Sequence, residues 1–229
     1  LDQFKRLGAY YKVILSTLAC LPILFFGTFS PFPIFPFIGH LRLTILYPFV
    51  FIPIFITIFA NATNMIDVFN GSMAGSMTVS GVSLTVIAFI LGEYEVMLIF
   101  AFLTASLFAF YRYNRYPAKV FSGDVGSLCV GTAFATSAIF GGMELVTLFA
   151  CLPTLINGAL ILSSLGKFKE RHDIEERPTV LLENSFLAAN ISKAAPLTLT
   201  RLLASTSPIK ERDITKCFIY LHVFSGVLA

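Results

Sequence analysis

Clusters of polar residues interrupt a chain that is otherwise strongly apolar. The first cluster, NATNMIDVFNG, places a polar side chain at every third position: Asn61, Asn64, Asp67 and Asn70. If the preceding helix continues through this segment, residues three apart lie on one stripe of its surface. Their amide and carboxylate oxygens suit a magnesium ion, and their amide nitrogens suit the edge of a nucleobase or sugar. The simpler interpretation is a run of helix-capping and turn residues, although a cap needs only one Asn or Gly.

The second cluster, RYNRYPAKVFSGDVGS, combines cations, glycines and one carboxylate. Its positive rim consists of Arg112, Arg115 and Lys119. Asp124 follows at the start of the next apolar run, between Gly123 and Gly126. Glycines let a ligand approach the backbone closely, and the amides at a helix N-terminus favour phosphate. Position alone leaves Asp124 open as either a helix N-cap or a metal ligand.

Two further groups of charged residues lie close to apolar runs. Lys12 begins the first of these runs, where a lone lysine commonly anchors a helix at the membrane surface. The segment KFKERHDIEERP, at 167–178, is most simply a solvated loop. Its neighbouring Arg171 and His172 would also suit binding of a pyrophosphate or a sugar.

The composition indicates a membrane protein. Of 229 residues, 56% are hydrophobic and only 13% are charged, which excludes a water-soluble globule, a disordered tail and a nucleic-acid binder. A spanning helix needs about 20 mostly apolar residues, and seven runs approach that length: 11–29, 43–60, 73–91, 96–111, 127–140, 144–165 and 214–228. We therefore predict an all-α, polytopic transmembrane helical bundle of about seven spans, forming one domain over residues 1–229. Flanking residues should lengthen the fourth and fifth runs.

Single residues refine this picture. Prolines inside the runs predict kinks at Pro22, Pro48, Pro53 and Pro153. The four cysteines lie singly in apolar runs without CxxC spacing, which favours free thiols over a zinc site or disulfides. The proline-spaced segment 30–40 predicts an extended or hairpin element on the outer face, because proline opposes helix there.

The distribution of cations predicts the orientation. Every Lys and Arg except Arg42 falls in the segments 2–12, 61–72, 112–126 and 166–213, or at the start of the last run. The opposite loops carry acidic residues, Glu93, Glu95 and Glu144. The positive-inside rule places the three cation-rich segments, and with them 61–72 on the same side, in the cytosol. Asn61, Asn70 and Asn190 match the glycosylation acceptor pattern, but glycosylation would need these residues to lie on the other face of the membrane. The stretch 179–208 is expected to lie at the membrane interface as an amphipathic segment.

Two long motifs resemble a known enzyme family. NATNMIDVFNGSMAG, followed one helical hairpin later by YPAKVFSGDVGSLCVG, is similar to the paired signature of the polyprenyl-phosphate N-acetylhexosamine-1-phosphate transferases of glycosyltransferase family 4. Lys12, opening KVILSTLACLPIL, matches the lysine that opens the corresponding helix. SPIKERDIT near the end resembles the archaeal and eukaryotic branch, which uses UDP-GlcNAc and dolichyl phosphate.

The resemblance implies a reaction. Members of the family transfer a sugar 1-phosphate from a UDP-sugar to a membrane polyprenyl phosphate at the cytosolic face, with magnesium (manganese being a substitute), and release UMP. For this chain it implies GlcNAc 1-phosphate transfer from UDP-GlcNAc to dolichyl phosphate, the first step of lipid-linked oligosaccharide synthesis for protein N-glycosylation. The location would be an archaeal plasma membrane or the ER membrane, and the protein would be a homodimer.

Residue roles follow from the same resemblance. Asp124 and Asn64 would ligate magnesium with Asn61 beside them, and Lys12 would contact the phosphates. The nucleotide would be bound by Asn61, Asp67, Asn70, Gly71 and Phe121, with Asn70 bonded to uracil and Phe121 stacked on it. Arg171 and His172, in a substrate-recognition loop at 166–213, would bind the pyrophosphate and the sugar. Asp67 matches the bacterial branch rather than the eukaryotic one.

Departures from the family pattern leave alternatives open. The family has about ten spans and an acidic pair near the position of Asp2, so the chain is expected to lack the first three helices and most of that motif. Asp173 after Arg171 and His172 leaves the sugar open. The alternatives are another UDP-sugar or undecaprenyl phosphate in cell-wall polymer synthesis, or an inactive membrane fragment. A transporter is disfavoured because the charges lie at the ends of the runs.

Overall fold

The computed structural model describes residues 8–30, 34–35, 39–40, 44–166, 174 and 176–229, and most of these residues lie in helices. The helices of the described residues are α1 Ala9–Leu18, α2 Leu21–Phe26, α3 Ile52–Ile66, α4 Ser72–Leu91, α5 Tyr94–Asn114, α6 Gly123–Phe140, α7 Glu144–Ala150, α8 Leu152–Leu165, α9 Leu199–Thr206 and α10 Glu211–Leu228. The short strands are β1 Ile34–Phe35, β2 Gly39–His40, β3 Thr179–Leu181, β4 Phe186–Ala189 and β5 Ile209–Lys210. The prediction of an all-α membrane bundle is confirmed.

The seven predicted apolar runs all contain helix. Among the described residues, four helices are long and apolar enough to cross a membrane: α4, α5, α6 and Tyr47–Ile66, which joins a π-helical turn at Tyr47–Phe51 to α3. The pair α7 and α8, bent by 77°, would make a fifth. Flanking residues lengthen the fourth and fifth runs, as expected. The first run is a shorter apolar pair, α1 and α2, and the last forms α10.

Each predicted proline kink coincides with an irregularity in a helix. Pro22 lies at the start of α2, after a break at Ala19 and Cys20. Pro48 lies within the π-helical turn, and Pro53 lies at the start of α3. Pro153 begins α8 directly after the 77° bend. Because proline has no amide hydrogen, it is tolerated in the first turn of a helix but not in its interior.

Close crossings and aromatic stacking hold α3 at the centre of the bundle. A Cβ at Gly131 of α6 would lie 2.4 Å from the carbonyl oxygen of Phe59, so only glycine allows α6 to cross α3 at this distance. Along the continuous span Tyr47–Ile66 the rings of Tyr47, Phe51, Phe55 and Phe59 contact one another in series, with centroids 5.1, 5.3 and 4.7 Å apart. Aromatic pairs in this range add to the free energy gained by burial.

At one end of the bundle, β1 pairs with β2 in an antiparallel hairpin within 30–40, as the prolines predict. Glu144, predicted to lie on the outer face, is the first residue of α7 near the same end. It is buried and accepts a hydrogen bond from the Tyr47 hydroxyl, a contact that the sequence did not predict. A buried carboxylate needs such a partner, which the sequence separation of 97 residues hides.

The stretch 179–208, predicted to be an amphipathic segment at the membrane interface, contains two strands of a small sheet and a helix. Strands β3, β4 and β5 form an antiparallel sheet in that order, and α9 packs against it. Thr198 caps α9 by accepting a hydrogen bond from the Arg201 amide at 2.9 Å. All four cysteines are free, as predicted: Cys20, Cys129, Cys151 and Cys217.

Candidate active site

The two signature motifs meet at one end of the bundle, called here the polar end. At this end α3 and α5 finish and α4, α6 and α10 begin. It is the end that the distribution of cations predicts to be cytosolic. Asn61 and Asn64 lie on the last turns of α3, as expected. The helical stripe does not continue, because α3 ends at Ile66, Asp67 has a non-helical ψ of 61° and Asn70 lies in the following turn.

Asp124 lies in the first turn of α6 and is bonded to Lys12. The helix begins at Gly123 with Ser122 at its N-cap position, so the interpretation of Asp124 as the N-cap is wrong. Its Oδ2 accepts a hydrogen bond from Nζ of Lys12 at 2.5 Å. The Lys12 side chain is only 13% exposed and that of Asp124 is 39% exposed. Lys12 is therefore an inward-facing partner of the second motif rather than only a surface anchor.

Polar contacts between α1 and α3 position Lys12. One turn after Lys12, the Ser16 hydroxyl accepts a hydrogen bond from Nδ2 of Asn61 at 3.2 Å. The hydroxyls of Thr17 and Thr57 lie 2.7 Å apart. Asn61 also donates to the Thr57 carbonyl at 2.8 Å, which fixes its amide. Asn61 thus connects the first motif to the helix that carries Lys12.

A hydrogen bond joins the two motifs directly. The Ser122 hydroxyl donates to Oδ2 of Asp67. Ser122 lies two residues before Asp124. The Asp67 carboxylate therefore contacts the start of α6, where the Asp124 carboxylate binds Lys12. Two carboxylates and one cation, Lys12, therefore lie near the start of α6. Groups of these kinds are used in metal-assisted reactions of phosphates.

Asn114 is a buried link between the motifs that the sequence analysis did not single out. Its Oδ1 accepts a hydrogen bond from the Gly71 amide at 3.1 Å, and its Nδ2 donates to the Val120 carbonyl at 2.9 Å. The oxygen and the nitrogen of one side-chain amide therefore each bind a backbone group, one in the first motif and one in the second. Its place inside the second motif, two residues after Arg112, was the only available signal.

Glu211, at the start of α10, is a second residue that was missed. Its carboxylate accepts a hydrogen bond from the backbone N–H of Asn70 at 2.9 Å. One turn later, Thr215 donates to the Asn70 carbonyl at 3.2 Å. The backbone of Asn70 is thus bound on both sides by α10. The segment SPIKERDIT, noted only as a family resemblance, contains Glu211 and so has a structural reason for its sequence.

Gly71 makes the turn between α3 and α4 possible. Its φ is +79°, in the left-handed region that favours glycine. A Cβ there would lie 2.8 Å from the Tyr111 ring and 3.2 Å from Cα of Arg115. Any other residue would separate the first motif from the second.

The ring of Phe121 is 73% exposed at the polar end. The exposed cations of the rim precede it: Arg112, Arg115 and Lys119. An accessible aromatic ring beside cations can stack on a base while the cations attract phosphates. Arg171 and His172 lie outside the residues that the structure describes.

An apolar groove of about 680 Å³ extends from the ion pair along the bundle. Lys12 and Asp124 line it together with residues of α1, α5 and α6. Along α6 its lining runs from Asp124 to Ser137, which at 1.5 Å per residue is roughly 20 Å. Most of the lining is apolar, so the groove is suited to a hydrocarbon chain.

The donor set fits magnesium better than a metal that needs nitrogen or sulfur ligands. Within the described residues, no three His, Cys, Asp or Glu side chains lie close enough together to hold a metal ion. The carboxylates of Asp67 and Asp124 and the amide oxygen of Asn64 are hard ligands. Magnesium is commonly held by one or two carboxylates together with water and substrate phosphates, and these residue types match that preference.

Comparison with known proteins identifies relatives of one kind. A profile of glycosyl transferase family 4 matches residues 1–142. A phospho-N-acetylmuramoyl-pentapeptide-transferase of Lactiplantibacillus plantarum is 37% identical over 48% of this chain and 35% of its own length. A Sulfolobus acidocaldarius protein, provisionally named a UDP-N-acetylglucosamine–dolichyl-phosphate N-acetylglucosaminephosphotransferase, is 28% identical over 74% of this chain and 52% of its own length.

A provisionally named glycosyltransferase of Methanocaldococcus jannaschii is 30% identical over 76% of this chain and 56% of its own length. The chain therefore spans about half the length of the archaeal relatives that it matches, and a smaller share of the bacterial one.

Proposed function

Because the chain belongs to glycosyl transferase family 4, whose members transfer a sugar 1-phosphate to a polyprenyl phosphate, we propose that it uses UDP-GlcNAc and dolichyl or a related polyprenyl phosphate. The products would be UMP and a GlcNAc-diphospho-lipid, the first intermediate of lipid-linked oligosaccharides for N-glycosylation. The choice of donor rests on the name of the Sulfolobus acidocaldarius relative, which matches 74% of the chain. The bacterial relatives match less of it, although one is more identical where it matches.

The observation that carries the proposal is the Lys12–Asp124 pair at the origin of the apolar groove. A lipid phosphate is an anion attached to a long hydrocarbon chain. A cation at the polar end and an apolar groove beside it can bind both parts of such a molecule. A soluble acceptor would have no use for a groove that extends about 20 Å along a membrane helix.

The bond changes of the proposed reaction are simple. A phosphate oxygen of the lipid attacks the β-phosphorus of UDP-GlcNAc, and the bond between that phosphorus and the bridging oxygen breaks. UMP leaves with the bridging oxygen. A phosphomonoester loses its second proton at about pH 6, so the attacking oxygen needs no side-chain base. The main barrier is the repulsion between two anions.

The residues of this chain can reduce that repulsion. The Lys12 ammonium would leave Asp124 for an incoming phosphate, and the cations of the rim would attract the nucleotide pyrophosphate. Asp124 and Asn64 would hold magnesium, or manganese in its place, and the ion would polarise the phosphoryl oxygens. Phe121 and Asn70 would bind uracil. Arg171 and His172 would bind the pyrophosphate and the sugar.

The proposed orientation puts this chemistry at the cytosolic face of an ER or archaeal plasma membrane. It rests on the positive-inside rule, since the rim and Lys12 lie at the same end of the bundle. A nucleotide sugar from the cytosol and a lipid phosphate from the bilayer would meet there.

A donor panel tests the proposal and its alternative together. Purified protein is incubated with dolichyl phosphate, magnesium and radiolabelled UDP-GlcNAc, UDP-GalNAc or UDP-muramoyl-pentapeptide. Label should enter the lipid phase from UDP-GlcNAc and disappear with EDTA. Label from UDP-muramoyl-pentapeptide alone would favour a cell-wall enzyme, the reaction named for the bacterial relatives. No label from any donor would contradict activity of this chain.

A further inference from the structure

The sheet formed by β3, β4 and β5 is fixed at the polar end of the bundle. The last residue of β5, Lys210, is followed directly by Glu211, the first residue of α10. Glu211 in turn binds the Asn70 amide at the polar end. The sheet has therefore no linker that would let it move away from the membrane surface.

One face of this sheet carries a row of apolar side chains across all three strands. Leu181 pairs with Leu187, and Leu187 pairs with Ile209. Directly paired residues in antiparallel strands point to the same face of a sheet. Leu187 and Ile209 pack against the hydrophobic core of the bundle. Leu181, on the outer strand, is 70% exposed.

The opposite face has a different character. Phe186 pairs with Lys210 there, and the Lys210 ammonium lies 5.1 Å from the centre of the Phe186 ring. Val180 lies on this face because side chains alternate along a strand. The row of Leu181, Leu187 and Ile209 therefore faces the bundle, whereas Val180, Phe186 and Lys210 lie on the face turned away from it.

We propose that Leu181 inserts into the cytosolic leaflet of the membrane next to the bundle. The apolar row begins on the core with Ile209 and Leu187, and its last member, Leu181, extends beyond the core at the polar end, where we expect the bilayer surface to meet the bundle. Exposed Lys193 and Lys210 in the same segment would be attracted to anionic headgroups. The membrane thus covers an apolar side chain that water would otherwise contact. This inference does not depend on the proposed reaction.

Fluorescence can test this contact cleanly because the chain contains no tryptophan. The L181W variant introduces a single reporter on the apolar face. The V180W variant places the same reporter one residue away on the opposite face of the sheet and is the matched control. Each full chain is reconstituted in nanodiscs with ordinary or brominated phosphatidylcholine. Circular dichroism confirms that both variants keep their helix content.

The L181W emission should be blue-shifted, and brominated lipid should quench it. V180W emission should stay red-shifted and lose little intensity. Absence of quenching in L181W, or equal quenching in both variants, would overturn the proposal. A blue shift in L181W that brominated lipid does not quench would indicate contact with protein instead, such as a second copy of the chain, and would also overturn it.

Discussion

Lys12 and Asp124 form an ion pair across 112 residues of sequence, with Nζ of Lys12 2.5 Å from Oδ2 of Asp124. The pair brings the first described helix to the start of α6. It also closes one end of the apolar groove. The proposed reaction makes use of both properties, since the cation would exchange a carboxylate for a substrate phosphate.

Replacing Lys12 by Ala should lower kcat by about 10²–10³-fold, the usual cost of removing one preorganised group that stabilises transition-state charge. The K12R variant keeps the charge and should retain part of the activity. Lys216, which is half exposed and pairs with Asp213 at the surface, provides a control, and K216A should turn over like the wild type. Radiolabel transfer at saturating donor measures the effect. Equal kcat for K12A and K216A would remove Lys12 from the site.

Replacing Asn114 by Ala removes both hydrogen bonds that connect the motifs. Leaving buried backbone groups unpaired costs about 1–3 kcal/mol. The first motif should then lose its position relative to the second, and the KM for UDP-GlcNAc should rise by about tenfold. The control is S106A, on the exposed surface of α5. A lower melting temperature with an unchanged KM would show that Asn114 stabilises the fold without positioning the donor site.

Glu211 should act through the backbone of Asn70 and not through its charge. The E211Q variant keeps an oxygen that can accept the hydrogen bond from the backbone N–H of Asn70, whereas E211A does not. We therefore expect E211A to raise the KM for UDP-GlcNAc by about 3–10-fold and E211Q to restore it. The neighbouring D213A is the control, because Asp213 pairs with Lys216 at the surface. If E211Q raises the KM for UDP-GlcNAc as much as E211A does, the hydrogen bond to Asn70 is not the cause of the effect, and the charge of Glu211 is.

Filling the groove should affect the lipid substrate alone. Ala133 lines the groove on α6, and A133W would occupy part of its volume. The KM for dolichyl phosphate should rise by about tenfold, while the KM for UDP-GlcNAc stays unchanged. The matched control is L98W, at an exposed position of α5 outside the groove lining. An unchanged lipid KM in A133W would mean that the acceptor binds elsewhere.

Local patterns predicted most of the helices and the polar residues of the motifs. Apolar runs of sufficient length gave the helices, and prolines marked the breaks before α2 and α8. The three-residue spacing of the first motif predicted helix through Asn70, but α3 ends at Ile66, and a left-handed turn at Gly71 leads into α4. A conformation fixed by the approach of Tyr111 and Arg115 leaves no periodic signal in the sequence.

Long-range contacts account for what could not be predicted. Glu211 binds Asn70 across 141 residues, and Tyr47 binds Glu144 across 97. Neither pair has a characteristic spacing, so only the packing of the bundle brings them together. Asn114 was hidden for a different reason: an asparagine at the end of an apolar run is an ordinary helix-ending residue until its two backbone partners are known.

Replacing Asp124 by Asn tests the central claim most directly. The variant keeps the shape of the side chain and removes the charge that binds Lys12 and would hold magnesium. Wild type and D124N are compared for magnesium-dependent transfer of label from UDP-GlcNAc to dolichyl phosphate, with gel filtration showing that both remain folded in detergent. The account predicts lipid-linked label from the wild type and none above background from D124N. Equal transfer by the two proteins would contradict the assignment of this site.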